Sequence, residues 1–214
     1  MTKRLKTLYS LVNKGGVFAD VGCDHGYVAK YALDSEDFES VIISDISKLS
    51  LEKAEKLLKP YKNKVKSYVC DGLDGYEIEP DVVFIAGMGG EEICSILQKS
   101  KFRVKQLVLS PQKNSNKVRK LLIDLGYKID SDFTFFDKKF YDAISATIGK
   151  DNYTQKELIF GRDNLKLRSA EFLDKLNMEA KILNSVISNE NVSSLDKNEA
   201  EQKLALINGV LYEN

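Results

Sequence analysis

The sequence predicts an α/β fold: a mostly parallel, doubly wound sheet with an antiparallel edge, followed by a helical hairpin. Three observations predict it. Five short apolar runs alternate with helical periodicity along the first part of the chain, two β-rich runs then follow one another, and from about Asp151 long helical periodicity replaces the β-branched clusters. A chain of 214 residues with 43 % hydrophobic content has room for one full domain, residues 1–150, and an appendage, residues 151–214.

In order, Lys3 to Asn13 places Leu5, Leu8, Leu11 and Val12 at helical spacing, so it is expected to lie as an amphipathic helix against the sheet. Val17 to Val21 is short, apolar and entered through Gly15-Gly16, which predicts a buried strand, with a helix from His25 to Leu33 after it. A strand from Ser40 to Ser44 and a helix from Lys48 to Leu58, closed by Pro60, come next. Strands over Lys66 to Cys70 and Asp81 to Ala86 precede a helix from Glu91 to Gln98. The strand Gln106 to Leu109, the helix Asn116 to Leu125 and a stop at Gly126 complete the alternation. Lys128 to Phe136 and Phe140 to Ile148 form the antiparallel edge. Beyond them, Leu158, Leu165, Phe172, Leu176 and Leu183 recur at intervals near seven, a seam-like pattern. After a break at Ser188 to Ser194, a second helix runs from Lys197 to Leu211, giving an antiparallel hairpin.

The strand ends carry the chemistry. Gly22 and Gly26 let the chain turn tightly after the first strand and come close to a ligand at the start of a helix. Asp24 stands where a dinucleotide fingerprint has its second glycine, and its side chain would obstruct and repel a pyrophosphate. The loop therefore suits S-adenosylmethionine, whose amino-acid end is zwitterionic and whose sulfonium is positive. Asp45, about twenty residues on, is placed to accept from ribose hydroxyls. Asp71-Gly72 offers a carboxylate to an adenine amino group, and the fourth strand ends in Gly87-Met88-Gly89-Gly90. Ligands of open α/β sheets sit outside such carboxyl ends.

The 32 basic and 32 acidic residues cancel but are unevenly spread. Residues 1–14 hold Lys3, Arg4, Lys6 and Lys14 without an acid, and residues 101–120 hold seven Lys or Arg, again without one. That predicts a localised positive face suited to RNA, with Arg4, Lys113 and Arg119 as phosphate contacts. The appendage, with 8 basic against 11 acidic residues, is not itself strongly basic. It reads as an RNA-gripping arm ahead of a dimerisation or packing arm, on a chain expected to act as a monomer. Cys23, Cys70 and Cys94 are too widely spaced for a zinc motif and are expected as buried free thiols. Neither a membrane span nor a signal-peptide pattern is visible, so a cytoplasmic protein without a metal site is expected.

Asp20-Val-Gly-Cys-Asp-His-Gly-Tyr27, Gly87-Met-Gly-Gly90, Ser110-Pro-Gln112 with Arg119, and Tyr141 together resemble the bacterial TrmK family. The resemblance covers essentially the whole chain, including Arg4-Leu5 and Phe160-Gly161. It implies a class I methyltransferase domain with a C-terminal coiled-coil domain, S-adenosylmethionine as cofactor, and methylation of tRNA at N1 of adenine 22. By the resemblance the cofactor site falls on Gly22, Asp24, Asp45, Asp71, Gly87, Met88 and Gly89, and Asp20, His25, Gly26, Ile46 and Gly72 beside them complete the expected cofactor set. By the resemblance the base pocket falls near Gly90, Ser110, Pro111 and Gln112, and Arg4, Arg119 and Tyr141 complete the expected substrate set. Many relatives have Gln-Pro-Asn where this chain has Ser110-Pro111-Gln112, so the amide side chain is retained at a displaced position.

Adenine N1 already has a lone pair, so the site must position it and tolerate a cationic product. Asp24 is the catalytic candidate for balancing that charge. His25, the only histidine, reads as a structural hydrogen-bonder, Tyr27 as a core residue, and Tyr141 as core or a stacking platform. Alternatives are a methyltransferase for another RNA site, a small molecule or a protein; a nicotinamide-dependent reductase; and a non-catalytic RNA binder.

Overall fold

The computed structural model describes residues 1–212. A seven-stranded sheet runs in the order β3-β2-β1-β4-β5-β7-β6. Its strands are β1 (Val17–Val21), β2 (Ser40–Asp45), β3 (Val65–Val69), β4 (Val82–Ala86), β5 (Gln106–Ser110), β6 (Tyr127–Asp137) and β7 (Lys139–Ile148). The first five are parallel, and β7 pairs antiparallel with both β5 and β6, so the expected edge pair is present with its second strand inserted inward. The order reverses between β1 and β4, where two neighbouring loops diverge and leave a crevice.

The helices of this part are α1 (Lys3–Tyr9), α2 (Tyr27–Asp34), α3 (Lys48–Leu57), α4 (Gly90–Lys99) and α5 (Ser115–Asp124). Local chemistry sets several starts: the hydroxyls of Thr2 and Ser47 accept from Leu5 and Ser50 N–H and cap α1 and α3. Two apolar cores cover the faces of the sheet. One gathers Phe18, Val41 and Phe84 under α1, α2 and α3, and the other gathers Ile85, Ile93 and Leu122 under α4 and α5.

The C-terminal part differs from the expected pair of helices. The seven-residue repeat is divided among α6 (Gln155–Phe160), α7 (Arg162–Leu167) and α8 (Ala170–Ser188), and only α8 pairs with α9 (Ser194–Leu211) as a hairpin. Two backbone reversals break the repeat. Gly161 has φ +89° and Arg168 adopts the left-handed φ of +47°. A Cβ on Gly161 would stand 2.9 Å from the Asp132 carboxylate, so glycine is what lets the chain pass that buried acid.

That acid explains a further correction. Arg119, expected on the surface against phosphate, is 1 % exposed. Its guanidinium donates to both Asp132 carboxylate oxygens, at 2.8–3.0 Å, and to the Leu158 and Ile159 carbonyls. An arginine in the first turns of α5 thus fastens α6 to the sheet. Nearby, buried Asp142 accepts from Ser115 (2.6 Å), Thr134 (2.8 Å) and the Lys175 ammonium (2.7 Å). Burial by itself would raise that carboxyl, but Lys175, Arg119 and the Ser115 hydroxyl outweigh it and hold it at about 2.

The 101–120 segment is also less free than its composition implied. Lys105 pairs with Asp81, Lys117 with Glu91 and Lys120 with Asp124. Acids outside the segment thus neutralise part of the expected positive face. Of the cysteines, Cys23 is buried, whereas Cys70 and Cys94 are partly exposed; all three are free thiols.

Candidate active site

The crevice at the sheet reversal holds a cavity of about 470 Å³. Its floor is the carboxyl end of the sheet. Asp20, at 4 % exposure, lies beneath it and accepts from the Ala29 N–H. Desolvation lifts the Asp20 carboxyl to about 7, a little relieved by that hydrogen bond.

The β1–α2 turn is built from three successive backbone demands. Gly22 (φ +68°), Asp24 (φ +47°) and Gly26 (φ +71°) all lie in the left-handed region. The N–H groups of Gly22 and Cys23 donate to the Ser44 carbonyl, which ties the turn to β2. A Cβ on Gly22 would fall 2.3 Å from the Met88 methyl. At the end of β2, Asp45 accepts from the Asp24 N–H (3.1 Å) and the Ser47 N–H (2.8 Å), so its carboxylate is held at the cavity wall. Ile46 beside it is 78 % exposed. Asp71 also lines the wall, its carboxylate 3.0 Å from the Lys99 ammonium.

The far end is formed by two turns laced together. Gln112 Nε2 donates to the Gly87 carbonyl at 2.6 Å, the Gln112 N–H donates to the Met88 carbonyl at 2.9 Å, and the Gly90 N–H to the Lys113 carbonyl at 2.9 Å. Gly90 is required there, because a Cβ would meet the Lys113 and Asn114 carbonyl oxygens at 2.6 Å. Of the residues expected against a base, Arg4 and Gln112 line the cavity. Gly90, Ser110 and Pro111 are buried behind Gln112 and set its turn, and Tyr141 stands behind Arg4, whose guanidinium lies 5.1 Å from its ring centroid.

Gly26 and Gly89 do not line the cavity either. Gly26 lets α2 pass α3, with Ala54 Cβ only 2.9 Å from its virtual Cβ, and Gly89 caps α4. His25 lines the wall, stacked on Tyr27 at 5.7 Å, with Nε2 3.7 Å from an Asp24 oxygen. Tyr27, expected in the core, is 54 % exposed because it is the first residue of α2 and faces the cavity. Glu92 and Ile96, on the first two turns of α4, line the cavity and were missed. The only signal for them was their distance from the Gly87 turn, which a helical projection would have supplied. Cys23 also lines it, but burial and then the Asp20 and Asp45 carboxylates push its thiol well up, which suits packing rather than nucleophilic attack.

The wall is therefore rich in acceptors. Asp20, Asp24, Asp45, Asp71 and Glu92 face it, with Arg4 the one Lys or Arg among its lining residues. Such a wall suits a cationic ligand carrying hydroxyls and repels phosphate. No group of three or more His, Cys, Asp or Glu arranged for a metal occurs among the described residues, and none of their helices is long and apolar enough to cross a membrane.

Residues 1–144 match the family model of a methyltransferase domain. A Mycoplasma pneumoniae protein provisionally named a tRNA methyltransferase is 31 % identical over 183 residues, covering 82 % of this chain and 86 % of its own. The Bacillus subtilis tRNA (adenine(22)-N(1))-methyltransferase is 28 % identical over 220 residues, covering 95 % and 91 % of the two chains. A Streptococcus pneumoniae protein provisionally described as a tRNA (m1A22) methyltransferase, solved in complex with S-adenosyl-L-methionine, superposes with a TM-score of 0.90 at 26 % identity. That match covers 99 % of this chain and all of the other. The chain belongs to this methyltransferase-domain family, and within it to the TrmK family.

Proposed function

We propose that the protein transfers a methyl group from S-adenosylmethionine to N1 of adenine 22 in tRNA. The observation that carries this reading is the acceptor-lined cavity at the sheet reversal, closed at its far end by Gln112 on the Gly87 carbonyl. It is joined by the likeness to the Bacillus subtilis enzyme over nearly the whole chain.

The residues present fit the cofactor. The left-handed Gly22 turn, which packs against the Met88 methyl and has no room for a Cβ, lines the cavity, and the carboxylates match a positive sulfonium and ammonium. Asp45 would hold the ribose hydroxyls, Ile46 and Asp71-Gly72 the adenine, and the Gly22 turn with Asp20 the amino-acid end. Bound there, the cofactor supplies an electrophilic methyl group.

The protein's own work is positioning. Adenine N1 must face the methyl with its lone pair free, so no general base is needed to make the nucleophile. The exocyclic amine is a donor, and Gln112 Oε1 is an acceptor at the end of the cavity, its amide orientation fixed by the bond to Gly87. Methylation leaves a positive charge on the base, which Asp24 on the opposite lip would balance. Adenine 22 is stacked in folded tRNA, so it must be extruded, at about a few kcal/mol. The helical arm would grip the tRNA body and a monomer would suffice. A tRNA substrate supports the reading of a cytoplasmic protein.

The test is transfer of labelled methyl to unmodified tRNA, followed by nuclease digestion and mass spectrometry, with an A22G transcript alongside. The expected product is 1-methyladenosine at position 22 and no label in the A22G transcript. Label at another base, or only in small molecules, would overturn the substrate assignment.

A further inference from the structure

Arg4 stands apart from the rest of the cavity. It is half-buried, positive, and set at the Gly87–Gln112 end of a wall otherwise lined by carboxylates: Gly87's virtual Cβ is 3.9 Å from Arg4 Nη2 and 4.0 Å from Gln112 Nε2. Its guanidinium lies over the Tyr141 ring, and the Lys139 ammonium lies over the same ring, each 5.1 Å from the centroid. The ring is itself held, stacked on Phe135 at 5.6 Å.

The surroundings fix the backbone that carries Arg4 and leave its guanidinium on the Tyr141 ring. The Arg4 backbone N–H donates to Asp137 Oδ2 at 2.8 Å, and the Lys3 ammonium donates to the Phe136 carbonyl at 3.1 Å, so the start of α1 is pinned to the β6–β7 hairpin. Asp137 thus spends an oxygen on a backbone donor. Among the described residues, neither Arg4 nor Lys139 forms an ion pair with a carboxylate. Two cations held on one aromatic ring make a positive site that favours an anion within reach of both.

We propose that Arg4 and Lys139 clamp a phosphodiester flanking the flipped adenosine, and so fix the direction in which the nucleotide enters the cavity. This rests on the tRNA reading above. The carboxylates of Asp24, Asp45 and Asp71 exclude the RNA backbone from the glycine-turn end, and the clamp receives it at the other. The base then points inward past Gln112 with its sugar-phosphate outside, on the Tyr141 side. Arginine suits this role because its planar fork can donate two parallel bonds to one phosphate while its face rests on the ring.

The experiment is binding of a D-arm RNA hairpin containing A22, followed by fluorescence anisotropy from 50 to 200 mM salt with S-adenosylhomocysteine present. Wild type is compared with Arg4→Gln, Arg4→Lys, Lys139→Gln and Asp137→Asn. Each of the two Gln variants should lower the logarithmic salt slope by about one, Arg4→Lys should keep the slope, and Asp137→Asn should not lower it. S-adenosylhomocysteine affinity should be unchanged in all four. A methylphosphonate at a phosphate flanking A22 should weaken wild-type binding about tenfold and Arg4→Gln hardly at all. An unchanged slope in both Gln variants, or an equal methylphosphonate loss in wild type and Arg4→Gln, would overturn the clamp. Loss of S-adenosylhomocysteine binding in Arg4→Gln would reassign Arg4 to the cofactor. If Arg4→Gln does not fold, the Lys139→Gln slope decides. Failure of wild type to methylate A22 would sink the functional reading instead, and the slopes would still judge the clamp.

Discussion

The crevice at the strand ends and the joint that fastens the helical arm are both polar, yet they are built by opposite means. The crevice is made of short-range devices: a left-handed turn at Gly22 to Gly26, an aspartate ending β2, and two turns laced by three hydrogen bonds. The joint is made of long-range charge pairs, Arg119 with Asp132, sealed from water, and Lys175 with Asp142, where the lysine is partly exposed. Carboxylates in the crevice line a cavity and keep room for a ligand beside the few partners that hold them, whereas those in the joint face charged side chains of the protein itself. The difference separates residues that serve binding from residues that only look as though they should.

Breaking the joint should give the largest effect. Arg119→Met leaves Asp132 buried without its partner, which costs about 3–5 kcal/mol of stability by denaturant unfolding. The salt dependence of tRNA binding should stay the same in whatever fraction remains folded, because Arg119 touches no solvent. A reduced slope in Arg119→Met would mean that the arginine reaches phosphate after all.

In the crevice, Asp45→Asn should spare stability and weaken S-adenosylhomocysteine about 10- to 100-fold by calorimetry, the loss of a charged hydrogen bond worth about 1.5–3 kcal/mol. An unchanged affinity would move the ribose elsewhere. Gly90→Ala forces a methyl against two carbonyl oxygens and should cost about 1–3 kcal/mol while displacing Gln112. Turnover should fall further than cofactor affinity. Asp24→Asn should also lower kcat more than cofactor affinity, and an equal loss in both would make Asp24 a binding residue alone.

The comparison is sharpened further through pH. Asp20 is raised from an ordinary 3.8 to about 7 in the fold. Between those values the folded protein holds a proton that the unfolded chain has lost, so the ligand-free protein loses stability as pH rises through that window. A cationic cofactor favours the ionised form, so its binding should tighten as pH rises towards about 7, by at most about tenfold per unit, and level off above. Asp20→Asn should flatten both profiles. Asp142, held at about 2, contributes the opposite way: its stabilisation is present above about pH 4 and is lost as pH falls towards 2.

What the sequence made legible follows the same division. The parallel sheet and the aspartates and glycines at its strand ends are written in a few adjacent residues each, so Gly22, Asp45 and Gly87 could be located without coordinates. Arg119 and Asp132 lie 13 residues apart, and Arg119 reaches the Leu158 and Ile159 carbonyls some 40 residues on. No local pattern tells such an arginine from one that faces RNA. The seven-residue repeat likewise hid its interruption, because Gly161 and Arg168 break the backbone between apolar positions that still keep register. Tyr27 was misplaced because an aromatic at a helix start carries no mark of whether it faces core or cavity.

The most direct test of the account is a crystal structure of the protein with S-adenosylhomocysteine. The ribose hydroxyls should lie within hydrogen-bond distance of the Asp45 carboxylate, with the adenine between Ile46 and Asp71-Gly72 and the sulfur directed towards Gly87 and Gln112. A ligand bound elsewhere, or inverted so that its adenine fills the Gln112 end, would contradict the assignment of the crevice and with it the proposed path of the methyl group.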